Sequence, residues 1–158
     1  MSLPLLEIHR RLYDSLIADL ARSGRGVKES GAFLLGALDG QRRCVSSYLM
    51  YDKVAPLSSS QHAYVAFTAQ EMARAWEHCY AVGLQVVADV HTHPFGPAQS
   101  VSDRAHPIVS VAGHVALIVP NFAKGDPQPR DLGVHLFGGC GRWDSMFREQ
   151  ASQAIRFA

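Results

Sequence analysis

Leu3, Leu5, Leu6 and Ile8 open the chain as an apolar run that predicts a short strand. Leu12, Leu16, Ile17 and Leu20 then recur at the three- and four-residue spacing of one helical face. The breaker Ser23-Gly24 ends that pattern, so a first helix is expected over about Arg10 to Arg22. The run Gly31 to Leu38 reads as a buried strand, Asp39-Gly40 as a hairpin turn and Cys44 to Tyr51 as the returning strand. Glu29 sits where the first of these strands begins.

Pro56 to Ser60 is a polar loop, and His62 to Phe67 alternates as a further strand. Thr68 with Glu71 three residues later makes a capping box, and Met72, Trp76, Cys79 and Tyr80 supply one apolar face of a helix that ends at Gly83. Leu84 to His91 is a strand, after which Pro94 forces the chain out of regular pairing. Ser100 with Asp103 starts a short helix. Val115 to Pro120 is an inner strand, Gly133 to Phe137 another, and Arg142 to Phe157 a closing helix. Asn121 to Asp131, rich in proline and charge, is expected to be a mobile surface loop. Nothing repeats internally. Hairpins mixed with separate helices predict an α+β fold, with a mixed, mainly antiparallel sheet flanked by helices, rather than a regularly alternating parallel sheet.

Length and composition narrow this picture. A chain of 158 residues suits one domain spanning 1–158, and 47% hydrophobic with 18% charged residues is too apolar for a largely disordered chain. The formal charge of +1, with both signs interspersed, leaves no electrostatic footprint for nucleic acid or an anionic membrane. Glu7 and Arg10 interrupt the opening apolar stretch before it reaches signal-peptide length, and no later run approaches a membrane span. A soluble cytoplasmic protein is expected. Cys44, Cys79 and Cys140 are widely spaced, form no CxxC pair and read as buried apolar thiols.

Candidate chemistry concentrates at one strand end. His91 and His93 lie two apart on an extended segment, so both imidazoles face one point while Thr92 faces away. Zinc favours imidazole, and a catalytic zinc commonly has three protein ligands, so a nearby carboxylate is wanted; Asp103 is the best placed. Taken alone, an HxH pair is more often two partly exposed histidines, and Ser100 with Asp103 is explicable as a helix cap. Pro94 and Gly96 join the two halves, because a turn leaving the strand must bring Asp103 back toward the imidazoles.

Together, Glu29, the segment His91-Thr92-His93-Pro94 and the segment Ser100-Val101-Ser102-Asp103 resemble the signature of the JAMM (MPN-domain) metallopeptidases, an upstream glutamate followed by HxHP, a loop and SxxD. The resemblance implies one zinc ion per chain on His91, His93 and Asp103, Glu29 as general acid and base, and the Ser100 hydroxyl beside the attacking water. Glu29-Ser30-Gly31-Ala32-Phe33-Leu34-Leu35-Gly36 is similar to the family strand in which small residues following the glutamate leave room beside the metal. The order of elements over most of the chain also matches, which implies the cytidine-deaminase-like layering of that family. Two positions depart from it. The stretch from His93 to Ser100 is one residue shorter than in most members, and Asp89 stands where relatives often carry an aromatic residue. By parity Asp89 faces the side of His91 and His93, where it would orient His91 by accepting its other ring hydrogen or simply be a surface carboxylate. His78, His106 and His114 have weaker claims as ligands.

The family implies a substrate class: the glycine-ended tail of a ubiquitin-like protein joined to lysine or to another peptide. Partners would be that protein, its conjugates and the activating (E1-like) and conjugating (E2-like) proteins of its pathway, with no nucleic acid and no membrane. The length resembles compact stand-alone prokaryotic members, some linked to ubiquitin-like conjugation and antiviral defence, others to processing of sulfur-carrier proteins. A metal-independent scaffold module and a DNA-associated role are the competing readings; the intact ligands oppose the first and the near-neutral charge the second. A zinc nucleobase deaminase is excluded, because no HxE followed by PCxxC occurs.

Overall fold

A computed structural model describes residues 3–55 and 67–158. Its element order is β1 (Leu6–Ile8), α1 (Arg10–Gly24), β2 (Gly31–Asp39), β3 (Arg42–Met50), α2 (Tyr51–Val54), α3 (Ala69–Val82), β4 (Gln85–Thr92), α4 (Val101–Ala105), β5 (Val115–Val119), β6 (Gly133–Gly139), β7 (Arg142–Met146), α5 (Glu149–Ala154) and β8 (Ile155–Phe157). The strands among the described residues form one eight-stranded sheet in the order β7-β6-β5-β4-β2-β3-β1-β8. β2 pairs antiparallel with β3 and β4, β6 antiparallel with β5 and β7, while β4–β5, β1–β3 and β1–β8 are parallel. The fold is α+β, as the pattern of strands and helices predicts.

Both faces of the central strands are covered, and side-chain alternation decides which residues go where. Ala32 and Leu34 of β2, Ala88 and Val90 of β4, and Val115, Leu117 and Val119 of β5 join Leu16, Ile17 and Leu20 of α1 in the larger core. Phe33 and Leu35 point the other way, into a smaller core with Tyr51, Val54, Ala75 and Cys79. Phe33, Tyr51 and Phe67 stack there with ring centroids 4.8–5.4 Å apart. Because Phe33 is paired with Asp89 in register, Asp89 and His91 share this second face.

α3 carries the expected capping box, Thr68 Oγ1 accepting from Glu71 N and Glu71 Oε1 from Thr68 N, and ends at a left-handed Gly83. Its buried stripe is narrower than expected. Ala75 and Cys79 are buried and Met72 packs against them, but Trp76 and Tyr80 are 44% and 91% exposed. The small residues let the helix lie close on the sheet, which turns the two aromatics one step round to solvent.

Three further expectations are corrected. Arg142 to Phe157 is not a closing helix: β7 returns antiparallel on β6, and only Glu149–Ala154 is helical before β8 adds to β1. The glycines at 138, 139 and 141 carry the tight hairpin, with positive φ at Gly139, Cys140 and Gly141. The cysteines are not uniformly buried, since Cys79 is buried, Cys44 half-buried and Cys140 exposed in that hairpin. Asn121 to Asp131 is tied down by a left-handed turn at Asn121–Ala123, by a 3₁₀ turn at Pro129–Asp131 and by the Tyr13 hydroxyl, which donates to Pro127 O at 2.7 Å. The loop Pro56 to Ser60 and all but Phe67 of the strand expected at His62 to Phe67 lie outside the described residues. No helix among the described residues is long and apolar enough to cross a membrane.

Candidate metal centre

His91 lies at the carboxyl end of β4, and the chain beyond it is held by backbone pairing on both sides. His93 N donates to Val119 O at 2.9 Å and Thr92 N to Ser30 O at 2.8 Å, so the strand's pattern continues past its last paired residue. Thr92, facing away from the imidazoles, accepts from Ser30 N through Oγ1 at 2.9 Å. The Ser30 hydroxyl donates to Leu20 O of α1 at 2.8 Å. Gly31 is paired with His91, so stepping two residues back along β2 brings Glu29 across from His93. The small residue at Gly31 leaves room for the Tyr51 ring, whose Cε2 would lie 2.3 Å from an added Cβ.

The loop after His93 returns Asp103 to the imidazoles despite its short span. Ser100 caps α4: its Oγ accepts from Asp103 N at 3.1 Å, and its own N donates to Asp103 Oδ2 at 2.8 Å. The capping interpretation and the ligand interpretation therefore hold together, because the box that starts the helix also orients the carboxylate. The cap occupies one acceptor site of the Ser100 hydroxyl and leaves its proton free to donate.

His91 Nε2 and His93 Nε2 are 3.1 Å apart, His91 Nε2 lies 3.3 Å from Asp103 Oδ1 and His93 Nε2 lies 3.0 Å from Asp103 Oδ2. All three residues are buried. A tetrahedral cation with bonds of about 2.0–2.1 Å separates its ligand atoms by about 3.3 Å, so this donor set fits such an ion. The electrostatics agree. Burial alone would raise the Asp103 carboxyl, but hydrogen bonds from His91 and His93 hold it well below the usual carboxylate range. Burial pushes His91 down, and Asp103 outweighs it to leave the imidazole above its ordinary value.

Glu29 and Ser100 line the same hollow as His93. Glu29 Oε2 is buried without a hydrogen-bond partner, an arrangement that costs about 1–3 kcal/mol and calls for a reason. Burial raises the Glu29 carboxyl, an effect that the nearby His93 and His91 oppose.

Asp89 is buried, but its bonds go elsewhere than to His91. Its Oδ1 takes His114 Nε2 at 2.6 Å and its Oδ2 accepts from the Tyr51 hydroxyl at 3.3 Å. His114 is therefore spent on Asp89 and His78 is exposed on α3, while His106 lines a small pocket with His91 and Asp103. Two residues at the site escaped the sequence. Gln99, whose buried Oε1 has no partner, lines that same pocket. His135, fully buried on β6, has Nε2 3.0 Å from Pro97 O and Nδ1 2.7 Å from Ser145 Oγ. A carbonyl only accepts, so Nε2 carries the proton and Nδ1 accepts from the serine. Gly133 lets the Pro97 loop close over His135, since an added Cβ would meet Pro97 O at 2.1 Å. Its alternation within β6 was the available signal for a buried histidine.

Burial lowers His135 to about 4, against 6.5 for a free imidazole. Between those values the unfolded chain binds the extra proton, so this residue's contribution to stability falls as pH drops. From pH 7 to pH 5 it should cost about 2 kcal/mol. Chemical denaturation of chelator-treated wild-type and His135→Gln proteins at both pH values should show that excess loss in the wild type only, and equal pH dependence would contradict it.

No family model matches the chain. A stretch of 68 residues is 32% identical to a protein of Sinorhizobium fredii named a probable metalloprotease, and covers 43% of this chain and 42% of that relative's own length. Two structures solved in solution share the fold. One, from Desulfitobacterium hafniense, superposes with a TM-score of 0.66 at 16% identity over 97% of this chain and 94% of that one. The other, from Salinibacter ruber, gives 0.60 at 19% identity over 90% of each chain. These likenesses establish the architecture, and the buried His91, His93 and Asp103 form within it a group that could bind a metal ion.

Proposed function

We propose that this chain is a zinc-dependent peptidase of the JAMM type that hydrolyses the amide bond after the glycine-ended tail of a ubiquitin-like protein, in linear or isopeptide linkage. The observation that carries the reading is the buried His91-His93-Asp103 donor set at tetrahedral spacing, whose His93 lines one hollow with an unpartnered Glu29 carboxylate oxygen. The similarity to the probable metalloprotease of Sinorhizobium fredii supports the chemistry. Two imidazoles and a carboxylate suit zinc.

A zinc ion on these residues supplies a Lewis acid for the scissile carbonyl. Glu29 Oε2 accepts the proton of the attacking water and then delivers it to the leaving amine. The free proton of the Ser100 hydroxyl donates to the carbonyl oxygen as it gains charge. Thr92 and Ser30 hold Glu29 and His93 at fixed separation through backbone and side-chain bonds, so the proton acceptor needs no reorganisation. An extended glycine-rich tail offers mainly its backbone, which suits strand addition. β7 is a sheet edge, and its Trp143 borders the pocket formed by His91 and Asp103.

Zinc-loaded protein should cleave a ubiquitin-like fusion at the end of the tail, lose that activity in chelator and regain it on adding zinc. Cleavage at an undiminished rate after complete metal removal would overturn the reading.

A further inference from the structure

The hollow that holds Glu29, His93 and Ser100 shares Phe95, Gly96 and Ala98 with a second groove of about 410 Å³. Pro120, Arg130, Leu132, Phe147 and Arg148 form the far walls of that groove. A groove of this size is within the range of ligand sites. Its chemistry is specific: two aromatic rings are offered to solvent, Phe95 at 85% and Phe147 at 38% exposure, beside two exposed guanidinium groups. Arg130 and Arg148 make no ion pair among the described residues. Asp131, the acid in the wall among the described residues, is engaged by the preceding turn, its Oδ2 accepting from Gln128 N at 2.8 Å.

This face is built rather than loose. Asn121 N donates to Phe95 O at 3.1 Å and Phe122 N to His93 O at 2.8 Å. Those bonds hold Asn121, Phe122 and Ala123 at φ of 55°, 52° and 63°, left-handed conformations that each cost on the order of 1 kcal/mol or more. Pro97 is fixed from below by His135. Arg148, at φ 55° and ψ −119°, also sits in a region that side-chain-bearing residues seldom adopt. Strained backbone thus frames the groove on two sides, and it holds an exposed phenylalanine beside His93 and Glu29.

We propose that this groove is the specificity subsite of the proposed peptidase, and that it takes the part of the substrate flanking the scissile amide on the Phe95 side: an extended segment with an apolar side chain followed by carboxylates. The apolar side chain lies between Phe95 and Phe147, and the carboxylates pair with Arg130 and Arg148, each a fork suited to bidentate contact. Charge complementarity and continuity with the catalytic hollow select this occupant. The inference rests on the peptidase reading for its role, but its binding can be measured without turnover.

The probes are two fluorescein-labelled peptides, identical except for Leu-Glu-Glu in one and Leu-Lys-Lys in the other, titrated by anisotropy into zinc-loaded Glu29→Gln protein. The acidic peptide should bind at least about tenfold tighter, and Arg130→Glu with Arg148→Glu should abolish or invert the preference. Both arginines are exposed, and a melting curve confirms that the double variant folds. Equal affinities, or a preference that survives the charge reversal, would overturn the proposal. So would binding of phosphatidylserine vesicles in place of the peptide, or an arginine-dependent self-association seen by sedimentation. Preference without cleavage of any peptide by zinc-loaded wild type would sink the peptidase reading alone; cleavage without preference would sink this proposal alone.

Discussion

Glu29→Ala should abolish hydrolysis while leaving the metal content unchanged. General acid–base catalysis contributes about 10²–10⁴-fold, and this residue is asked to act twice, once on the attacking water and once on the leaving amine. A loss at the upper end of that range is therefore expected. The same substitution should leave stability unchanged or raise it by about 1 kcal/mol, because it removes a buried carboxylate oxygen that has no partner. Activity falling while stability holds is the signature of a group kept for chemistry. Cleavage rates, metal analysis and a denaturation curve on one preparation measure all three, and a fully active variant would remove Glu29 from the mechanism.

His93→Ala should lose metal and activity together. The substitution deletes one of three donor groups and leaves Asp103 Oδ2 without the imidazole 3.0 Å away. The drop in metal affinity should exceed the roughly 10–100-fold that follows loss of a residue bonded to a ligand rather than to the metal. Retained stoichiometric metal in this variant would place the ion elsewhere. The contrast with Glu29→Ala separates holding the ion from moving the proton, which neither variant does alone.

The legible parts of the molecule are those where local chemistry and tertiary structure ask for the same thing. Thr68 and Glu71 cap a helix by themselves, Asp39-Gly40 turns a hairpin by itself, and the apolar period of α1 needs only a sheet to lie on. His91, His93 and Asp103 were legible for a similar reason, since strand alternation and the Ser100 cap each act within a few residues. The illegible parts depend on distant partners. Arg142 to Phe157 has enough helix-compatible residues to read as a helix, yet Trp143, Asp144 and Ser145 are claimed by β6 and Ile155 by β1. Parity placed Asp89 on the correct face but could not show that His114 and Tyr51 would take its oxygens. His135 passed unnoticed because its role, bracing Pro97 across 38 residues of sequence, exists only in the folded chain.

The stretch from His93 to Ser100 decides whether the site assembles. Asn121 and Phe122 hold its start, His135 holds its middle and the Ser100 cap holds its end, so Asp103 arrives within 3.3 Å of both imidazoles. Each brace is a hydrogen bond to the backbone, which fixes the loop's path without constraining side chains such as Phe95 that face the groove.

The most direct test of the account is the zinc content of wild-type protein purified from zinc-replete cells and passed through a desalting column, measured by inductively coupled plasma mass spectrometry. The expected result is about one zinc per chain, falling close to zero in His93→Ala. Wild-type protein that emerges correctly folded, holds no metal and takes up none on titration would contradict it.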